Sequence, residues 1–211
     1  MRTPRAVGAL VVLVVLASCA AQAAPVSGPA PTSSPTVPDM PLLPDEGRRS
    51  TVVEFTDWIT DPALDRAWLL DPCLPTAYPT DGQRVGFRTV SREGPEAFDA
   101  RQLGVYPTAD VAAEVLAGFR RVLAACRTGQ LQGGARWTWV TAEAPDLGDE
   151  GFLAASTFVA PEYASNGARI AVTRAGNSVF LAHATGEYYT AEIDDGAQAV
   201  REVAQRFLDS L

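Results

Sequence analysis

The sequence predicts an α+β domain: an antiparallel sheet of about six strands in the order ββαββββα, with two long helices packed on one face. Three observations carry this. Two stretches repeat apolar residues at spacings of three and four, the period of a helix with one buried side. Six other stretches are rich in β-branched and aromatic residues and bounded by turn formers. The sharpest pair of these is joined by Gly176-Asn177, a favoured two-residue hairpin link.

In chain order, Ala63 to Leu70 follows Asp61-Pro62 and is expected to make a helical turn or two. Residues 84–91 and 98–106 read as a hairpin around Glu93-Gly94-Pro95. A symmetric register sets Val85 and Phe87 opposite Val105 and Leu103, with Arg84 and Arg88 on the other face. The first long helix is expected at 108–127, with Thr108 as its N-cap and Val111, Val115, Phe119, Val122 and Cys126 as its stripe. Arg120, Arg121 and Arg127 complement its dipole, and Gly129 follows as a stop. Residues 136–142 and 152–160 supply two strands, and 168–174 with 178–186 supply the last hairpin, Ile170 and Val172 facing His183 and Leu181. The closing helix is capped by Asp194 or Asp195, with Val200, Val203, Phe207 and Leu211 on its apolar side. Short connections and alternating signals favour antiparallel pairing, with both helices most economically placed on one face.

The chain has 211 residues, with 25 acidic against 17 basic, all of them arginine, for a net charge of −8. The arginine bias reads first as genome composition. At 47% apolar the chain can bury a core, which excludes wholesale disorder. An acidic balance without clustered cations argues against nucleic-acid binding. Three cysteines and one histidine are too few for a four-coordinate thiolate or imidazole zinc site, so neither metal nor cofactor is expected.

Residues 1–18 read as a lipoprotein signal peptide. Arg2 and Arg5 precede an apolar run that stops at Leu16-Ala17-Ser18-Cys19, similar to a bacterial lipobox. The run is shorter than the ~20 residues needed to span a bilayer. Cys19 would accept a diacylglycerol and, as the new first residue, palmitate or a similar acyl chain. Ala21-Gln22-Ala23 leaves an ordinary secretory signal as the alternative. Residues 19–47 form a Pro/Ser/Thr/Ala-rich tether whose prolines favour extended geometry, reaching on the order of 80 Å at ~3.1 Å per residue. Residues 48–211 are the folded domain.

With Cys19 acylated, Cys73 and Cys126 remain, an even count in an exported domain, and are expected to form a disulfide. Cys126 lies on the inward side of the first helix, and the bond would staple the Trp68-Leu69-Leu70 segment to it. Closing that loop is worth roughly 4 kcal/mol on the chain-entropy model. The pair lacks the C-x-x-C spacing of redox-active thiols.

Tyr106 to Cys126, read as Y-P-T-A-D…F-R-R-V-L-A-A-C, and Ile170 to Glu187, read as I-A-V-T-R-A-G-N-S-V-F-L-A-H-A-T-G-E, resemble the PknH-like sensor domain over about residues 60–211. That domain occurs outside the membrane on mycobacterial kinases and in free-standing actinobacterial lipoproteins. The resemblance implies an antiparallel sheet backed by helices and a cleft for an unidentified ligand. It implies no catalytic residues. This chain departs from the kinase-borne form in lacking a kinase domain and in having one cysteine pair instead of two, so signalling would require a separate protein partner in the envelope.

His183 is the single histidine, and any catalytic role must pass through it. No G-x-S-x-G, P-loop or H-E-x-x-H accompanies it, and a core histidine is the stronger reading. The Asp146–Gly151 stretch lacks the order of a calcium loop and reads as a solvated turn. Trp137 and Trp139 share one strand face, and Tyr188 and Tyr189 follow the last hairpin. These four are the candidate ligand-cleft residues, with core packing the stronger reading for the tryptophans and the tyrosines in question only if the far face of the sheet is open. Arg84 and Arg88 could meet an anion or simply face solvent. The expected function is a non-enzymatic, lipid-anchored ligand-binding or sensory module on the outer face of the cell membrane. It would contact the membrane through Cys19 and an unknown small-molecule or envelope ligand. The alternatives are an interaction protein docking on an envelope complex, and a cell-envelope hydrolase.

Overall fold

The computed structural model of the chain describes residues 40–72, 78–130, 134–160 and 166–211. The signal peptide with Cys19, most of the tether, and Cys73 lie outside the described residues. The strands are β1 (Ile59–Asp61), β2 (Gly86–Glu93), β3 (Phe98–Val105), β4 (Thr128–Gln130), β5 (Arg136–Glu143), β6 (Glu150–Val159), β7 (Gly167–Ala175) and β8 (Ser178–Gly186). The helices are α1 (Ala109–Ala125), between β3 and β4, and α2 (Asp195–Leu208), after β8. All strands join one antiparallel sheet in the order β1-β2-β3-β8-β7-β6-β5-β4. The expected six strands are present, and two three-residue strands, β1 and β4, extend the sheet to eight. Segments that short carry no readable period, and they blunt the sheet's edges.

The expectation that both helices share one face is overturned. Along β8, Val179 and Leu181 belong to a core with Val115, Leu116 and Phe119 of α1. The intervening Phe180 and Ala182 belong to a second core with Val200, Val203 and Phe207 of α2. Because side chains alternate across a strand, the helices cover opposite faces. The physical reason is written in β6–β8, whose stretches Gly151–Thr157, Gly167–Thr173 and Val179–His183 are buried without interruption. A sheet wetted on one face would alternate instead. Phe180 stacks on Phe207 at 4.3 Å on one side. On the other, Phe119 meets Trp68 and Tyr78 edge-on at 5.4 and 4.8 Å.

The Thr108 cap follows expectation, and of the two candidates for the second cap, Asp194 and Asp195, Asp194 serves. Thr108 accepts from the Val111 amide and Asp194 from the Ala197 amide. Asp194 also receives Arg169 from the central strand β7, through Nε at 2.7 Å and Nη2 at 2.5 Å. The remaining Arg169 donors reach the carbonyls of Ser156, Ala168 and Thr190. A guanidinium only 1% exposed is thereby satisfied at every N–H.

Four details differ from the sequence reading. The β2–β3 register is offset by one, with Phe87 opposite Gly104 and Arg88 opposite Leu103, because the connection spans Gly94–Ala97. Gly104 leaves room there for the Trp68 indole, which any Cβ would strike. Ala63–Leu70 forms a turn and extended chain instead of helix. Leu211 is exposed, since α2 ends at Leu208. Finally, residues 40–47, assigned by composition to the tether, are docked on the α2 side. Leu43 is buried in that core, Met40 lies over Gly86, and Glu46 pairs with Arg88 at 2.9 Å. The β7–β8 hairpin has the expected register, Ile170 with His183 and Val172 with Leu181.

Since each face has its own core, Phe119→Ala and Phe180→Ala should each cost about 3–5 kcal/mol. Urea unfolding followed by far-UV circular dichroism checks this. A negligible loss for either would contradict a sheet packed on both sides.

Candidate functional site

Strand β5 is the one long strand that stays half-exposed along its length. On the sheet's α1 face the helix packs on β7 and β8 and runs past β5 without burying it. Alternation places Trp137, Trp139, Thr141 and Glu143 on that face, beside Phe158, Ser156, Ala154 and Phe152 of β6. Two adjoining clefts result, and Trp139 is a wall of both. One, of about 220 Å³, lies between Trp139, Thr141 and Glu143 and the Arg120, Ala124 and Arg127 end of α1. The other, of about 170 Å³, lies between Trp137 and Trp139, Ser156 and Thr157 of β6, and Asp71-Pro72.

The walls are held by local chemistry. The Trp137 indole N–H donates to the Cys126 carbonyl at 3.2 Å. Its ring lies flat across Gly129 of β4, where a Cβ would overlap it. Gly129 was expected to stop α1; its role is to make space for this indole, and Cys126 caps the helix instead. The Trp139 amide donates to the Arg127 carbonyl at 2.7 Å, tying the end of α1 to β5. Arg120 does not serve the helix dipole. It grips Glu143 at 2.8 Å and also pairs with Glu150, its guanidinium 5.1 Å from the Phe152 ring. Arg127 is exposed and has no ion-pair partner among the described residues.

The four candidate cleft residues do not come together. Trp137 and Trp139 form the site. Tyr188 lies on the α2 side, stacked on Arg169 with the cation 3.9 Å from its ring centre. Tyr189 is exposed and touches Glu187. The far face that the tyrosines were to rim is occupied by α2. Arg84 precedes β2 and folds back over the Phe87 ring at 4.1 Å, donating to the carbonyls of Leu64 and Arg66 and to Asp81. Buried and paired, it is no anion site. Asp146, Asp149 and Glu150 pair with Arg201, Arg174 and Arg120, and among the described residues no group of potential ligands can hold a metal. Cys126 caps the end of α1 and is half-buried. Its expected partner Cys73 lies outside the described residues.

His183 sits in β8 between Ala100 and Ile170, buried, with its ring 5.8 Å from Phe98 and its Nδ1 without a hydrogen-bond partner among the described residues. Burial, aided by the Arg101 charge, lowers its pKa to about 4. Asp194 is held down at about 2, chiefly by its hydrogen bonds from Arg169, against the opposing desolvation of partial burial.

No family model matches this chain, and no curated protein does. Among solved structures it is similar to the extracellular domain of PknH from Mycobacterium tuberculosis, at 17% identity and a TM-score of 0.51. The match covers 74% of this chain and 84% of that one. The two chains share a fold. At that identity the likeness concerns architecture alone, so the clefts are read from their own residues. Alternation on β5 put the two tryptophans on one face, but the sequence favoured core packing for them over a cleft. Arg127 and Ser156 were missed, because the path of α1 and the β5–β6 pairing bring them to the tryptophans, whereas Thr141 shares the tryptophans' alternation and was open to the same reading.

Two predictions follow from these contacts. Gly129→Ala should cost about 1–3 kcal/mol through steric conflict with Trp137, seen as a lowered urea midpoint with altered near-UV circular dichroism. The buried neutral His183 binds no proton between pH 6.5 and 4, while the unfolded chain does, so stability falls as pH drops through that window. At pH 5 the loss relative to pH 7 is about 2 kcal/mol. His183→Gln should remove that part of the slope; an unchanged slope would show that His183 is not the titrating group.

Proposed function

We propose that this protein is a lipid-anchored, extracytoplasmic ligand-binding or sensory module of the cell envelope, without catalytic activity of its own. The observation that carries the reading is the pair of clefts walled by Trp139, where the α1 face of β5 stays partly uncovered. Its shape and mixed lining suit recognition: aromatic faces, hydroxyls and one unpaired cation, in positions fixed by strand pairing. The fold shared with the extracellular domain of PknH supports an extracytoplasmic sensory role. No helix among the described residues is long and apolar enough to cross a membrane, which fits attachment through Cys19. A Cys73–Cys126 bond would hold the Asp71-Pro72 wall of the smaller cleft to the end of α1.

The hydrolase alternative loses its one candidate base. His183 is remote in character from a catalytic histidine, being buried and without a hydrogen-bond partner at Nδ1 among the described residues. The docking alternative has one observation in its favour. Val52, Val53 and Ile59 are exposed on and before edge strand β1, a surface suited to a protein partner that relays a signal.

The test is native mass spectrometry of the full chain extracted from its own membranes in mild detergent. A bound small molecule should be present in the wild type and depleted about tenfold or more in Trp139→Ala, while Cys19→Ser should leave the membrane fraction. Equal occupancy in Trp139→Ala would move the ligand elsewhere and overturn the reading.

A further inference from the structure

We infer that the paired clefts bind an acidic oligosaccharide, two consecutive sugar rings sharing Trp139, with the anionic group of one ring on Arg127. The inference rests on the reading of the clefts as a ligand site and adds the class of ligand.

Size comes first. Volumes of about 220 and 170 Å³ each fall below the ~300 Å³ at which drug-sized pockets begin. Each cleft suits one ring, and their common wall suits a linked pair better than a single bulky ligand. The chemistry of the walls comes next. The faces of Trp137 and Trp139 are apolar and flat, the partner of the C–H face of a pyranose. Around them stand Thr141, Ser156, Glu143 and Asp71. The Ser156 hydroxyl accepts from the Ala168 amide at 3.0 Å and keeps its own proton to donate. Glu143 is two-thirds exposed, so its oxygens keep lone pairs beyond those on Arg120. Hydroxyl and carboxylate acceptors ringing an aromatic platform match a ligand studded with O–H groups. An alkyl chain would leave them unpaired.

Charge decides the rest. Arg120 is committed to Glu143 and Glu150, whereas Arg127 faces the larger cleft with no ion-pair partner among the described residues. A planar guanidinium with its fork free selects a carboxylate or similar anion. A nucleobase would also stack on tryptophan, but a phosphodiester strand needs clustered cations, and this chain carries −8 overall. The walls are also preorganised: Trp137 is hydrogen-bonded to Cys126 and laid against Gly129, so little ordering is left for the ligand to bring about.

The experiment titrates the full chain with two probes, a galacturonate tetramer and maltotetraose, by tryptophan fluorescence and calorimetry. The acidic probe should bind about tenfold more tightly than the neutral one. Arg127→Gln, an exposed change that leaves folding intact, should erase that preference without weakening the neutral probe. Trp139→Phe should weaken both probes several-fold at an unchanged unfolding midpoint. Failure of both probes to bind would overturn the saccharide assignment, and equal affinity for the two would overturn its acidic part. If native mass spectrometry shows a Trp139-dependent ligand that is no saccharide, this inference fails while the proposed function stands. Saccharide binding indifferent to Trp139 would overturn both.

Discussion

The pairing of β8 with β3 is the constraint on which the rest of the structure depends. Eight residues of each strand run antiparallel, from Phe98 opposite Thr185 to Val105 opposite Ser178. These partners are far apart in the chain, and joining them fuses the N-terminal β1–β3 unit to the β4–β8 meander. Loop closure over that distance is a cost that only extensive burial offsets. Once the last strand lies beside the third, β8 and β7 occupy the middle of the sheet, and both of their faces must be shielded from water. Two helices on opposite sides meet that demand. The same topology sends the chain after β3 from the sheet's centre to its far edge. Helix α1 makes that crossing and packs on the central strands. Strand β5 is left partly uncovered, and the clefts are a consequence of that geometry.

Arginine supplies the polar half of the architecture. With no lysine in the chain, each cation is a planar fork that can bind several acceptors and still lie against a ring. Arg169 does both, filling all its hydrogen bonds around Asp194 and Thr190 while stacking on Tyr188. Arg84 lies over Phe87 while holding the carbonyls of the segment that follows β1. Arg101 places its guanidinium 5.1 Å from the Trp58 ring and 3.6 Å from Asp45. A lysine at any of these positions would lack the fork, the flat face, or both. What composition suggested was a mutational bias is also a structural resource. Arg127 has none of these partners among the described residues and faces the larger cleft.

Much of the fold was legible residue by residue. The caps at Thr108 and Asp194 were readable because capping is local: a side-chain oxygen meets an amide three residues on. The β7–β8 register followed from a two-residue turn, whose length fixes the pairing. The β2–β3 register was misread by one because the turn there is longer and its ends are not marked by composition. The side chosen by each helix was misread for a different reason. The stretches of β6–β8 are buried on both faces without interruption, but Thr157, Arg169, Thr173 and His183 break the apolar runs that would announce this in the sequence. The site was half legible: alternation put Trp137 and Trp139 together, whereas adjacency of Tyr188 to Tyr189 in sequence said nothing about which face either would reach.

By itself the sequence determined the kinds and order of the main elements, both helix caps, the closing hairpin and the shared face of the two tryptophans. All of these arise from contacts within a few residues, where chain geometry leaves little choice. Only the tertiary structure decided that the helices lie on opposite faces, that residues 40–47 belong to the domain, and that Arg127 and Ser156 stand beside Trp139. Those facts depend on which distant strands pair and on the path of a helix between them. Such choices are settled by the burial of the whole core, and no local pattern encodes them.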